Sequence, residues 1–434
     1  MTLETTLTSE ETPAARRPGL GDDRSLRIAF LSYRSDPRVG GQGVYLSQAA
    51  LALVRQGHQV DVISGPPYPE LAEGVGLIQL PSLDLYAQPH NGHRALRWRH
   101  LKSWTDTAEF FGHLSGKFME PWSFGRRAAK YLREHKADYD VVIDNQSIAS
   151  GLLEIRKAGL PVVEVIHHPI RRDLELAQAA EPNWGMRWLG RRWYSFLAMQ
   201  EKVAPQLEEV IVVSEASGRD VAECLGVKPE AMTVIPLGID QQVFKPEPDI
   251  RRRSDRLLTT ASADVPLKGL RYLIEAYALL QQTRPGLELV VIGKLREGPT
   301  ADLIHELGLG GQVRFISDLT RQEVVEEYAK ATLCVTPSLY EGFGLPAAEA
   351  MACGAPVVVT DGGALPEVVG DAGVVVRKAD AQALASAISQ LLDDPARRSA
   401  MGEAGRRRAR EHFTWERAAA AYETVLRRAI ARSC

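Results

Sequence analysis

Two parallel, doubly wound α/β sheets, one in each half of the chain, are the architecture this sequence predicts. Three observations carry that prediction. Short apolar runs alternate with helix-length stretches along nearly the whole chain. A phrase rich in proline and charge interrupts the alternation near the middle, after which the pattern restarts. The length of 434 residues exceeds one ordinary domain, so two or three are expected. Short apolar strands separated by helices belong in parallel sheets covered on both faces.

The elements follow in order. Residues 1–23 are polar, with Thr, Glu and Pro, and are expected to be disordered. Arg27–Ser32 reads as the first strand and Gly40-Gly41-Gln42-Gly43 as a glycine turn. An amphipathic helix follows through Val44, Leu46, Ala49, Leu51 and Leu53, ended by Gly57-His58 before a strand at Val60–Ser64. That is a β-α-β unit with a glycine loop at its first turn. Further strands fall at Asp140–Asp144, Val162–Ile166 and Val210–Val213. Ile235–Asp240 and Phe244–Pro248 read as the linker. The second half offers strands at Leu257–Ala261, Leu289–Gly293, Val313–Ile316, Leu333–Thr336, Val357–Thr360 and Val374–Val376. Two such sheets joined by a linker favour a ligand in the cleft between them, at the carboxyl ends of strands.

Composition narrows the function classes. Apolar residues make up 45% and charged residues 25%, as in a soluble globular protein. The net charge of −3 argues against nucleic acid as a partner. Cys224, Cys334, Cys353 and Cys434 lack metal-ligand spacing, and reduced cytosolic thiols are the default. No run reaches the ~18 apolar residues of a membrane span, and the amino terminus lacks a signal-peptide core. A cytoplasmic protein that touches a membrane without crossing it remains compatible with these features.

The richest motif is Glu341-Gly-Phe-Gly-Leu-Pro-Ala-Ala-Glu349, after the apolar run Leu333–Pro337. It reads as strand, glycine-bearing loop and helix, with Pro346 suited to the first helical turn. The amides of Phe343–Leu345 can then face an anion, which the helix dipole favours. Glu341 and Glu349 flank that site. Carboxylates do not bind phosphate, so the ligand they suggest carries both phosphates and hydroxyls, as a nucleotide sugar does. The stretch resembles the E-x7-E signature of retaining family-4 glycosyltransferases, and Met351–Val358 is similar to the same family's continuation.

That resemblance, covering about Arg27 to the carboxyl end, implies the GT-B fold: two Rossmann-like domains facing a central cleft. The family's last helix crosses back onto the first domain, and Trp415–Ile430 would be that helix. The expected division is a tail at 1–23, an acceptor-side domain at 24–245 plus 415–434, and a donor-binding domain at 246–414. By the same resemblance Glu349 holds the ribose hydroxyls of a UDP- or GDP-sugar and Glu341 faces the donor sugar. Gly342, Phe343, Gly344 and Leu345 cradle the diphosphate and sugar hydroxyls. Lys268 matches the family lysine, where a fixed cation would meet charge growing on the leaving phosphate. The family arginine five residues earlier is replaced by Ala263, leaving Arg271 or Arg34 as stand-ins.

On the acceptor side, Gly41 should approach the donor phosphates, since only glycine lets a backbone come that close. Arg34 and Gln42 reach the same space or are simply solvated. His167, after the strand Val162–Ile166, matches the family histidine at the donor sugar and is preferred to His168. Arg171 and Arg172 either bind an anionic acceptor or are surface residues. The front-face retaining mechanism that the resemblance implies needs no protein base. Asp138-Tyr139-Asp140 spells D-x-D but precedes a strand and reads as structural, so no metal or other cofactor is expected.

The acceptor is open: a glycolipid, a cell-envelope polysaccharide or a small-molecule glycoside. Six of the seven tryptophans lie between residues 98 and 193, and ten Lys or Arg face four acids between 94 and 136. That mixture fits an interfacial helix on anionic lipid at the inner face of a membrane. It fits a large acceptor pocket equally well. The rival readings are a non-catalytic nucleotide-sugar-binding subunit, prompted by Ala263, and a nucleotide-sugar epimerase on the same fold.

Overall fold

A computed structural model describes residues 24–35, 41–85, 101–261 and 265–433. Ala263 and Gly40 lie outside these residues, as do Arg94, Arg97, Trp98 and Arg99. The first sheet contains β1 (Arg27–Ser32), β2 (Gln59–Ser64), β3 (Gly76–Gln79), β4 (Val141–Asn145), β5 (Val162–Ile166), β6 (Val210–Val212) and β7 (Met232–Val234). Its order is β3-β2-β1-β4-β5-β6-β7, with every pairing parallel. The second sheet contains β8 (Arg256–Thr260), β9 (Glu288–Ile292), β10 (Val313–Ile316), β11 (Leu333–Thr336), β12 (Val357–Thr360) and β13 (Val374–Val376). Its order is β10-β9-β8-β11-β12-β13, again all parallel.

The central strands β1, β4, β5 and β6 are almost wholly buried, which is why apolar residues dominate them, with Glu164 inside β5 and Asp144 near the end of β4 as buried exceptions. The edge strands β3 and β7 are only partly buried, and the sequence reading missed both. Each sheet reverses winding once, between β1 and β4 and between β8 and β11. A crevice opens at such a point, outside the carboxyl ends of the strands.

The chain crosses between the domains twice, and the two crossings touch. Ile239 forms a parallel bridge with Thr414, and its amide donates to the Phe413 carbonyl at 2.9 Å. The Trp415–Ser433 helix then packs on the Gly41–Arg55 helix and on β4 and β5 of the first sheet. Its apolar stripe, including Ala418, Tyr422, Val425, Leu426 and Ile430, is buried there. Among the described residues no helix is long and apolar enough to cross a membrane.

Candidate active site

Both winding reversals supply residues to one place. β11 ends at Thr336, Pro337 follows, and the loop Ser338–Gly344 leads into the Leu345–Ala352 helix with Pro346 in its first turn. No side chain caps that helix, and an uncapped helix N-terminus is able to accept an anion. β8 leads to the short turn Pro266–Lys268, closed by Gly269 at φ +61. A Cβ on Gly269 would collide with the Pro337 carbonyl, so the two loops touch only because this residue is glycine. The contact carries Lys268 to Glu341: Nζ donates to the carboxylate at 2.8 Å. Ser338 Oγ donates to the same oxygen at 2.7 Å.

Glu349 lies one helical turn deeper and accepts from the Tyr328 hydroxyl at 3.2 Å. Burial pushes its carboxyl up from 4.5 to about 7, against the opposing pull of Tyr328 and Arg321. Glu349, Leu345 and Arg321 line one wall of a narrow interdomain crevice, faced by Val44, Tyr45 and Asp240. Arg321 stands 3.6 Å from Asp240 and covers the Phe244 ring.

The end of β5 lies behind Tyr45. His167 has its amide bonded to Gln146 Oε1 at 2.7 Å and its Nε2 2.8 Å from Asn145 Oδ1. Its ring meets the Tyr45 ring edge-on at 4.4 Å. Burial, with His168 alongside, drives its pKa down to about 3, so the ring is neutral and Nε2 donates to Asn145. Neighbouring His168 behaves oppositely. Burial lowers its pKa, but the Asp173 carboxylate at 3.0 Å and the field of Glu341 more than offset that. It is the His168 ring that feels the charges of Glu341 and Lys268.

Asn145 and Gln146 set this geometry. Gln146 Nε2 also donates to the His168 carbonyl at 2.8 Å. Their loop is strained, with Gln146 at φ +57 and Ile148 at φ +46. The buried Asp144 carboxylate holds it by accepting from the Ser147 and Ile148 amides at 2.7 and 3.1 Å.

The domains are latched across the site. Gly342 presses against the His167 carbonyl, where a side chain would not fit. Ser214 Oγ donates to the Gly342 carbonyl at 2.7 Å. Glu367 accepts from the Glu215 and Ala216 amides at 2.9 and 2.8 Å, so a carboxylate of the second domain caps the Glu215–Leu225 helix of the first.

The other residues singled out in the sequence are placed as follows. Gly41 and Gln42 open the first helix. Arg34 is half-buried and paired with Glu120 at 3.3 Å. Arg171 pairs with Glu201 and Glu175, and Arg271 points to solvent on Glu275. Both are therefore paired with carboxylates rather than standing as free cations. Asp140 is bound to Arg27, consistent with a structural D-x-D. Sequence reasoning missed Asn145, Gln146, Ser214, Arg321, Tyr328, Ser338 and Glu367. For the first two a signal existed, since they lie at the carboxyl end of a strand beside the winding reversal.

Comparison with known proteins agrees with this architecture. Residues 39–243 match the family Glycosyltransferase Family 4, and residues 245–408 match Glycosyl transferases group 1. The chain is 45% identical over 412 residues to the MMP alpha-(1->4)-mannosyltransferase of Mycolicibacterium hassiacum, covering 94% of this chain and 99% of that one. Among solved structures, sucrose-phosphate synthase from Thermosynechococcus elongatus superposes with a TM-score of 0.69 at 24% identity, covering 94% of this chain and 100% of that one. Anabaena HepE, in complex with UDP and glucose, gives 0.65 at 19% identity, covering 94% and 98%. With its two parallel sheets, its winding reversals facing one cleft and its near end-to-end likeness to a mannosyltransferase, the chain belongs to glycosyltransferase family 4 and has the GT-B fold.

Proposed function

We propose that this glycosyltransferase is a retaining mannosyltransferase. In this reading it takes mannose from GDP- or UDP-mannose and adds it, by an α-(1→4) bond, to a mannose-bearing acceptor. The observation that carries the choice of sugar is the 45% identity, over nearly the whole of both chains, to an α-(1→4)-mannosyltransferase. The site supports the chemistry. The acceptor oxygen attacks the anomeric carbon, the bond from that carbon to the diphosphate breaks, and the departing phosphate oxygen takes the acceptor's proton. Lys268 lies where the new charge develops and is stabilising chiefly in the transition state. Glu341 meets the sugar, Glu349 accepts from the ribose hydroxyls, and the uncapped Leu345–Ala352 helix faces the diphosphate. Lys268 supplies the positive charge that a metal ion gives other transferases, so we read the reaction as metal-independent.

The test is transfer from GDP-mannose and from UDP-mannose to α-(1→4)-mannobiose, with the product read by NMR. The expected product is a trisaccharide with a new α linkage, formed equally well in EDTA. A β product, or a strict need for Mn²⁺, would overturn the mechanism. Transfer of another sugar in place of mannose would overturn the substrate assignment.

A further inference from the structure

Two acidic side chains lie where the first sheet is otherwise apolar. Glu164 in β5 and Asp144 in β4 are both 0% exposed. The parallel register sets them directly opposite one another, so their side chains share one face of the sheet. Val142, Val162 and Ile166, two residues away along the same strands, belong to the apolar core. Among the described residues neither acid forms an ion pair with a cation. Two ionised carboxylates cannot stay side by side in such a place, because each loses its water and repels the other. One of them carries a proton.

The bonds around the pair decide which one. Asp144 accepts from the Ser147 amide at 2.7 Å, the Ser147 hydroxyl at 2.8 Å and the Ile148 amide at 3.1 Å. Three donors stabilise a carboxylate. Neither oxygen of Glu164 is met by a donor side chain. Burial and the charge of Asp144 push its carboxyl well above the usual range, against the weaker pull of the Gln146 amide. The Tyr45 hydroxyl, on the Gly41–Arg55 helix, also feels Glu164. Glu164 is thus the protonated member, and its O–H donates to Asp144.

The turn that Asp144 holds is the one that places both histidines. A β-branched residue at positive φ, as Ile148 is, persists only where its surroundings over-determine it. Gln200 Nε2 holds the Ser147 carbonyl at 3.2 Å, and Gln146 grips the His167 amide and the His168 carbonyl. His168 in turn abuts the loop that carries Glu341: a Cβ on Gly342 would lie 3.1 Å from the His168 Cβ. We propose that Glu164 is a positioning residue: by donating to Asp144 it fixes the Asn145–Ile148 turn and, through Gln146, the placement of His167 and His168 in the cleft. Its kinetic effect rests on the mannosyl-transfer reading above; its structural effect does not. Without that proton donor, Asp144 is a buried charge with no partner on its β5 side, and the turn shifts.

The experiment compares wild type with Glu164→Gln, whose carboxamide still donates to Asp144, and with Glu164→Leu, which donates nothing. Infrared difference spectra at pH 8, where Glu120 and Glu349 are largely ionised, should show a protonated-acid carbonyl band in wild type that Glu164→Gln lacks. Glu164→Gln should keep the imidazole NMR signals of His167 and His168 and a kcat within about twofold of wild type. Glu164→Leu should shift those signals and lower kcat about tenfold, as displaced groups do. Its affinity for GDP or UDP should stay near wild type, because Lys268, Glu341 and Glu349 lie on the other domain. The infrared and NMR readouts need no transfer, so they test Glu164 even if mannose is not the sugar moved. No acid band lost in Glu164→Gln would overturn the proposal. So would Glu164→Gln falling as far as Glu164→Leu, or Glu164→Leu keeping both its histidine signals and its kcat. Should Glu164→Leu fail to fold, the infrared band and the Glu164→Gln kinetics still decide.

Discussion

Replacing Lys268 with alanine separates transition-state stabilisation from simple binding. The side chain is 29% exposed and Glu341 is 11% exposed, so their ion pair at 2.8 Å sits at the mouth of the cleft. Solvent screens such a pair, and its loss should cost the fold no more than about 1 kcal/mol. Ser338 still donates to Glu341 at 2.7 Å in the variant, so the carboxylate keeps one partner. Against that small structural cost stands the charge that grows on the leaving phosphate. Removing one preorganised stabiliser costs about 10²-fold in kcat, or roughly 2.7 kcal/mol. Lys268→Ala should therefore lower kcat about a hundredfold, shift donor affinity by well under tenfold and leave the melting temperature within a few degrees. Single-turnover kinetics, donor titration and thermal melting check the three quantities. An unchanged kcat, or a loss of kcat matched by an equal loss of donor affinity, would refute the role assigned to Lys268.

Three further outcomes follow from the same geometry. Glu349 has its pKa raised from 4.5 to about 7, so between those values the folded protein holds a proton that the unfolded chain releases. Stability of the unliganded protein should fall as pH rises through that window, while GDP-mannose affinity rises several-fold from pH 6 to 8 as the ionised carboxylate becomes available. Glu349→Gln should flatten both profiles in chemical denaturation and calorimetry. Gln146→Ala removes the bonds to the His167 amide and the His168 carbonyl at 2.7 and 2.8 Å and should cost about 1–3 kcal/mol of stability. Gln146→Gly relieves the φ of +57 and should melt higher than the alanine variant, yet lose kcat equally, because both lack the clamp. Glu367→Ala removes the cross-domain cap and should weaken donor binding several-fold, the equivalent of about 1 kcal/mol, with a larger radius of gyration by X-ray scattering.

The sequence made the framework legible because nearly every central strand is buried on both faces and reads as an apolar run. β3 and β7 escaped because edge strands of three or four partly buried residues carry no such signature. The strand–loop–helix that holds Glu341, the glycines, Pro346 and Glu349 was legible for a local reason: each residue type fits its position there. Lys268 could be read from its own segment, but its partner lies 73 residues away and only the contact of two loops brings them together. The acceptor side was harder. Gln146 adopts a left-handed conformation without being glycine, so nothing local marks its turn. Glu367 meets the Glu215 amide across 152 residues, a relation no periodicity encodes.

The Ser214 contact has a kinetic consequence. The Gly342 carbonyl it holds belongs to the loop that the proposed function assigns to the donor, so in that reading one loop is both ligand platform and interdomain strut. Filling the platform and closing the cleft then become linked events, each favouring the other by an equal free energy. The linkage also works against release, because bound nucleotide and the strut favour the same closed form. A weakened strut should therefore trade donor affinity for faster release of the spent nucleotide.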